Sequence, residues 1–348
     1  MSKLEQAINK INKKSGSSLI MEKFDYSNIQ KIPFPSPKLN WQLYGGLPLK
    51  RITEIAGEAG SGKTTTALGF VGQAQKMFPE KRALFIDAEY TLDLDWAEKL
   101  GVDTENLLLM RPEVTTSGED VMDYIMELTS TEELSVIVLD SYPALTPSNQ
   151  MSKSVSENTY AGLSLPFTKF CRDIIKLLQR YNTSLFITNQ VREDMNNPFN
   201  QYRTPGGKAF QHYGALRLFS KKGSMLDSDN KEISRNAERP AGHLVNIKIV
   251  KTKVSKPNRP FSSYTLNFME GIDVIQDTID TAEKYDIIVR AGAWYRIIDP
   301  DTGEILQDSD GEEYKYQGKA NLRQALKENE DVFQMVSDRV NEKILNPA

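Results

Sequence analysis

The chain has 348 residues, 39% hydrophobic and 26% charged, with a formal net charge of −4. That length divides into two or three domains with room for a sizeable core, and the composition excludes a generally disordered or collagen-like chain. The negative balance argues against binding nucleic acid by blanket positive charge, so partners must be read from local charge.

The single cysteine, Cys171, excludes an internal disulfide and a cysteine-rich zinc site. The two histidines, His212 and His243, are too few for a histidine-rich metal centre, and each reads more readily as structural than catalytic. No apolar run has signal-peptide or membrane-spanning length, so a cytoplasmic protein with no membrane partner is expected.

Leu4, Ala7, Ile8 and Ile11 recur at helical spacing and predict a short amphipathic helix over 3–14. Its apolar stripe needs cover, from its own core or from a neighbouring subunit. The stretch through Pro33, Pro35 and Pro37 to Gly45 and Gly46 reads mainly as connection, which makes 1–35 a helix and arm. From residue 51, short apolar runs alternate with helical ones. RITEIAG precedes a helix over 63–76, ALFIDAE a helix over 95–100, LLLM a helix over 120–128, SVIVLD a helix over 165–180, and SLFITNQ closes the series. Continuous apolar runs are those of strands covered on both faces, so an α/β core with a central mostly parallel sheet is expected. GALRLFS, HLVNIKIVK and SYTLNF alternate more clearly and extend the same sheet in antiparallel or mixed fashion, ending the core, 36–272. Residues 273–348 read as a small α/β C-terminal domain with helices over 275–284 and 319–345 and strand pieces at 294–298 and 314–316. Between those pieces, 299–313 carries seven carboxylates and no basic residue, the pattern of a solvated loop or of a gate that repels polyanions.

The strongest motif is Gly57, Glu58, Ala59, Gly60, Ser61, Gly62, Lys63 and Thr64, which fits G-x-x-x-x-G-K-[ST] between a strand and a helix. Successive backbone amides there, with Thr65 in the first turn of the helix, can wrap phosphates, Lys63 can reach the β- and γ-phosphates of ATP, and the Thr64 hydroxyl can ligate Mg2+. Asp140 ends the apolar run Val136–Leu139 and suits the magnesium side. Glu89 follows the next strand, at the edge where ligand crevices of open α/β sheets form, so it can act as general base on an attacking water. Gln190 ends another strand, where its amide can contact a γ-phosphate or make a plain strand-end hydrogen bond.

At this point the chain closely resembles the RecA recombinase family, as a virus-encoded or otherwise divergent member. GEAGSGKTT, FIDAEYTLD, WAEKLGVD, VIVLDSYPALTP, FITNQVR, TPGGKAFQHYGALRLF, IKIVKTK, NFMEGI, AGAWY and YQGKAN fall in the family's order over nearly all of the chain. The resemblance implies a RecA-like P-loop ATPase core with a short N-terminal helix and arm and a small C-terminal domain. It further implies a helical filament on single-stranded DNA that carries out homology search and strand exchange with homologous duplex, served by single-strand-binding and mediator proteins. ATP would lie between protomers, with Lys63, Thr64, Glu89 and Asp140 from one and Lys251 and Lys253 from its neighbour. The two lysines, two apart on one strand, would point at one polyanion. Asp93, Trp96 and Phe268 match positions that hold the adenine.

Two loops match the family's DNA-binding segments. The first, 149–162, offers Lys153. The second, 191–208, interleaves Arg192, Arg203 and Lys208 with Phe199 and Tyr202 and includes Gly206 and Gly207, a composition suited to gripping a single strand. Residues 221–260 hold ten basic and four acidic residues, a local charge of +6, for a groove or a protomer interface. The N-terminal helix would pack on the adjacent subunit and the C-terminal domain would receive duplex. The sequence departs from the pattern in the acidic 299–313 insertion, in ending NEKILNPA without an acidic tail, and in His212 where the family usually has a phenylalanine contacting the next protomer. The rival readings are a ring-forming RecA-fold helicase, disfavoured by the short N-terminal arm and paired lysines, and a non-catalytic recombination regulator, disfavoured by the intact Glu89 and Asp140.

Overall fold

Apolar runs that cannot show one polar face must be buried on both, and the runs between residues 52 and 190 meet that demand by forming the middle of a single sheet. The computed structural model describes residues 2–15, 20, 29–152, 162–193 and 202–345. Residues 1–30 and 31–348 are separate compact units. In the first, α1 (Lys3–Ser15) carries exposed Leu4 and Ile11.

The second unit opens with β1 (Lys31–Ile32), α2 (Pro37–Leu43) and β2 (Leu47–Pro48). There follow β3 (Ile52–Gly57), α3 (Lys63–Met77), β4 (Arg82–Asp87), α4 (Leu94–Lys99), β5 (Leu107–Met110), α5 (Gly118–Thr129), β6 (Leu134–Asp140), α6 (Ser148–Met151), α7 (Ser164–Tyr181) and β7 (Ser184–Gln190). After β8 (Arg192–Glu193), β9 (Tyr202–Arg203) and α8 (Ala209–Tyr213), the chain forms β10 (Leu216–Leu226), β11 (Glu232–Ile233), β12 (Gly242–Thr252), β13 (Phe261–Asn267) and β14 (Gly271–Ile272). It ends with α9 (Val274–Lys284), β15 (Ile288–Ala291), β16 (Trp294–Ile297), β17 (Lys315–Gln317), α10 (Lys319–Glu328) and α11 (Glu330–Leu345).

The large sheet has the order β14-β13-β12-β10-β3-β7-β6-β4-β5, with β11 pairing β10. From β10 to β5 the neighbours are parallel, and β12, β13 and β14 extend the sheet antiparallel. The strand alternation divides the burial between two cores. Ile55, Phe85 and Val138 join Phe70 and Val71 of α3 on one face. Ile52, Leu84 and Ile137 join Ile125 of α5 and Phe167 and Ile174 of α7 on the other. A third core, with Ile279, Ile288, Tyr295, Leu322 and Val336, gathers α9, the β15-β16-β17 sheet, α10 and α11.

Helix α3 lies so close to the turn after α4 that a Cβ on Gly72 would stand 2.5 Å from the Gly101 carbonyl oxygen, which is backbone and cannot swing away. Gly72→Ala is therefore expected to lower stability by about 1–3 kcal/mol, read as a lower urea midpoint with an unchanged m-value. An unmoved midpoint would show that the contact relaxes freely.

The structure departs from the sequence reading in several elements. The Pro- and Gly-rich stretch read as connection contains α2, which begins with Pro37 just after the N-cap Ser36, where a missing amide costs nothing, and ends at Tyr44 in the left-handed region. The single helix expected over 319–345 is broken at extended Asn329, whose Oδ1 accepts from Val332 N to start α11. Lys253 lies just beyond the end of β12, not within it. The acidic 299–313 run folds as two turns, closed where Asp299 accepts from the amides of Asp301 and Thr302 and Asp308 from those of Asp310 and Glu312. Asp299 and Asp301 pair with Arg339 and Lys343 of α11 at 3.4 and 3.1 Å.

Candidate functional site

Because β3, β7, β6 and β4 are adjacent and parallel, their C-terminal ends share one edge. The Gly57–Gly62 loop leaves β3 there, Gln190 ends β7, Asp140 ends β6, and Glu89 follows β4 by two residues. The loop needs its glycines for two reasons. Gly60 and Gly62 take φ of +68° and +86°, and a Cβ on Gly57 would come within 2.3 Å of the Ser220 carbonyl oxygen. Glu58 and Ala59 lie on the exposed crest, whereas Ser61 and Thr65 are buried.

The Lys63 amine bends back over the loop, donating to the carbonyls of Gly57 at 3.1 Å and Glu58 at 2.7 Å. Burial draws its pKa down, against the opposing pull of Asp140, Glu89 and Glu58. Thr64 Oγ1 donates to Asp140 Oδ2 at 2.6 Å, and Thr188 Oγ1 to the other carboxylate oxygen. Burial pushes the Asp140 carboxyl up, and the two hydroxyls offset part of that push. Glu89 Oε1 accepts from Gln190 Nε2 at 2.8 Å and from Ser141 Oγ. The turn carrying Glu89 is shaped by buried Asp87, which accepts from the amides of Thr91 and Leu92 and from Arg111 Nε at 3.0 Å.

The residues present fit a magnesium nucleotide. A cation that keeps waters and substrate oxygens needs few protein ligands, and Thr64 with Asp140 supplies a hydroxyl and a carboxylate at one point. Open space lies over Gly60, and Ser61 Oγ is buried with no partner among the described residues. No group of three His, Cys, Asp or Glu among the described residues could hold a metal by itself.

Asp93 caps α4 by accepting from Trp96 N, and Trp96 packs, half-buried, against the core beneath. Phe268 stands 39% exposed in the turn between β13 and β14, and the same turn brings Gly271 against Lys99 and Leu100 at the end of α4. Lys251 and Lys253 are brought together elsewhere. Lys251 donates to the carbonyls of Gln211 and Gly214, and Lys253 to that of His212, all at the C-terminal end of α8. His212 itself is exposed.

Arg192 of β8 pairs in register with Arg203 of β9, with Tyr202 opposite Glu193, so the second loop begins and ends as one ladder. Gly206 and Gly207 have positive φ, and a Cβ on Gly206 would meet the rings of Phe210 and Tyr142 at 3.0 and 3.2 Å. With Lys208, they border a cleft of about 1250 Å3 that reaches Glu54 and Arg217. Lys153 and Phe199 lie outside the described residues.

Sequence reasoning missed the groups that hold these residues in place. Ser141 directly follows Asp140, and Thr188 is two residues before Gln190, hence on the same side of its strand. That spacing was an available signal. Asn189, which donates to Glu54 at 2.9 Å and to the Pro205 carbonyl at 3.0 Å, depends on strand order and carried no local signal.

A phosphate-binding loop at the carboxyl edge of a mostly parallel sheet, with a carboxylate and a hydroxyl placed for a divalent cation, defines a P-loop ATPase of RecA-like architecture. Residues 2–273 match the RecA N-terminal domain and residues 276–345 the RecA C-terminal domain. The chain is 32% identical over 345 residues to Protein RecA of Mesomycoplasma hyopneumoniae (strain J), covering 98% of this chain and 94% of that protein. It is 31% identical over 344 residues to Protein RecA of Bacillus subtilis (strain 168), covering 97% and 91% of the two chains. Protein RecA of Aquifex pyrophilus is 30% identical over 347 residues, covering 98% and 92%. The chain belongs to the RecA family, whose general function is ATP-dependent recombination. Among the described residues no helix is long and apolar enough to cross a membrane.

Proposed function

We propose that the protein polymerises on single-stranded DNA as a helical filament and catalyses homology search and strand exchange with homologous duplex, hydrolysing ATP as it does so. The observation that carries this reading is the 2.8 Å bond from Gln190 to Glu89. It joins the carboxylate placed to activate water to the residue that opens the 191–208 segment, so a change at one is felt by the other. Identities of 30 to 32% support reading the chain as a divergent member of its family.

In this reading the Gly57–Thr65 backbone and the Lys63 amine bind the nucleotide phosphates, and Asp93, Trp96 and Phe268 close on the adenine. Glu89 takes the proton of the water that attacks the γ-phosphorus, and ADP and phosphate leave. Mg2+, held by Thr64 and Asp140, would neutralise charge on the phosphate oxygens. Lys251 and Lys253 exchange the carbonyls of α8 for the phosphates of the neighbouring protomer, which couples hydrolysis to assembly. Arg192, Arg203, Gly206, Gly207 and Lys208, together with Lys153, Phe199 and Tyr202, hold the single strand. The 1–35 helix and arm joins protomers around the 36–272 core, and 273–348 meets the duplex.

The test is magnesium-dependent ATP hydrolysis with and without single-stranded DNA, followed by strand exchange and electron microscopy. DNA-stimulated hydrolysis with filaments is expected. A Lys251→Ala/Lys253→Ala variant should lose about 100-fold of that stimulated rate while its single protomers bind nucleotide normally. Rings that unwind duplex without exchanging strands would favour a helicase, and no stimulation would overturn the reading.

A further inference from the structure

The inner face of β12 runs past the phosphate-binding loop. Val245 lies so close to Gly62 that a Cβ there would meet both its methyl groups at 2.9 Å. Opposite Val245 in register is Tyr264, whose hydroxyl lies 2.9 Å from Thr66 Oγ1 and 3.4 Å from the Gly62 carbonyl. Two residues before Val245, and on the same face about 7 Å along the strand, is His243. Its register partner is Leu266, two residues before Phe268, and the imidazole and the Phe268 ring are 5.4 Å apart at 44°. His243 thus stands between the loop that would hold phosphates and the aromatic matched to the adenine, where a nucleoside would lie.

The side chain is unusual for that place. His243 is 5% exposed, and both ring nitrogens are buried without a hydrogen-bond partner among the described residues. Buried polar atoms are nearly always satisfied, so two unsatisfied nitrogens on one side chain call for a partner, and a bound ligand is one that this position can supply. Burial, helped by Lys222, draws the imidazole pKa down to about 4. The ring is therefore uncharged near neutrality, with one nitrogen as donor and the other as acceptor.

We propose that His243 is a specificity-determining residue of the nucleotide site, whose imidazole hydrogen-bonds the edge of the purine base when the Phe268 ring moves aside onto it. This rests on the reading that ATP occupies the Gly57–Thr65 loop and extends it from phosphate binding to base recognition. An adenine 6-amino group offers the acceptor nitrogen a donor, and a ring without that group leaves it unsatisfied. The unpaired buried nitrogen then penalises the ring that lacks the amino group.

The test compares the affinities of ATP, purine riboside triphosphate, which lacks the 6-amino group, and inorganic tripolyphosphate, by competition with a fluorescent nucleotide. Wild-type protein should prefer ATP over purine riboside triphosphate by about tenfold, the scale of one hydrogen bond. His243→Leu should erase that preference and leave tripolyphosphate affinity unchanged, and His243→Asn, which keeps a donor and an acceptor, should retain part of it. Each readout is a ratio of two affinities on one protein, so a partly folded variant still reports. A preference that survives in the leucine variant, or its absence from the wild type, overturns the inference while leaving the nucleotide site intact. A parallel loss of tripolyphosphate affinity would also overturn it, by giving His243 a structural role. Failure of the wild type to bind either ATP or tripolyphosphate would overturn the nucleotide reading itself, and this inference with it.

Discussion

Glu89→Gln is expected to lower the rate of ATP hydrolysis by about 100- to 10,000-fold, the range supplied by a positioned general base, with ATP affinity changed less than about twofold. The expectation follows from elimination among the carboxylates at the strand edge. Asp87 is buried and committed to two amides and Arg111. Asp140 is buried between the Thr64 and Thr188 hydroxyls, on the side that would face a cation. Glu89 is exposed and is approached through Oε1 by the Gln190 amide and the Ser141 hydroxyl. A glutamine there keeps the volume and one acceptor oxygen, so both contacts can persist, but it cannot take a proton from water. The measurement is steady-state turnover with single-stranded DNA at saturating ATP, beside equilibrium nucleotide binding. Turnover at the wild-type rate would place the base elsewhere.

The residues of the strand edge were legible in the sequence because each carries its own local context. Gly57 to Thr64 follow an apolar run and open a helix, and Asp140, Gln190 and Glu89 each close or follow another such run. What holds them is not local. The hydroxyl of Thr188 reaches Asp140 only because β7 and β6 are neighbours, and Glu54 meets Arg217 only because β3 lies beside β10. Strand order is a tertiary property that no window of residues contains. Helix α2 escaped notice for a different reason, since its seven residues begin at a proline and end before two glycines, the composition of a turn. At His243 the sequence offered only a lone histidine in a strand, because the two ring nitrogens without a partner among the described residues and the Phe268 ring beside them have no signature in the chain.

Arg217→Met is expected to destabilise the core by about 3–5 kcal/mol, because it removes one partner of a buried ion pair and leaves the other, a carboxyl, buried without its counter-ion. Arg217 Nε lies 2.5 Å from Glu54 Oε2, and the two side chains are 13% and 1% exposed. Among the described residues the remaining support for the Glu54 carboxylate is Asn189 Nδ2 at 2.9 Å, a neutral donor already shared with the Pro205 carbonyl. One amide does not replace a guanidinium. Removing both charges is a different matter, since Glu54→Leu with Arg217→Met exchanges two desolvated ions for apolar groups of similar volume. The double variant should therefore recover most of the lost stability, and the strong coupling in a double-mutant cycle of urea midpoints would measure the pair directly. A single variant within about 1 kcal/mol of wild type, or a double variant as unstable as the sum of its parts, would show that the pair contributes little. The row runs from β10 through β3 to β7 and ends on Pro205, where the 191–208 segment rejoins the core, so the same cycle read as DNA-stimulated hydrolysis tests more than stability. If the double variant regains its urea midpoint but not its response to DNA, the charges act on the segment through Asn189. If both return together, Asn189 and Pro205 hold the segment without them.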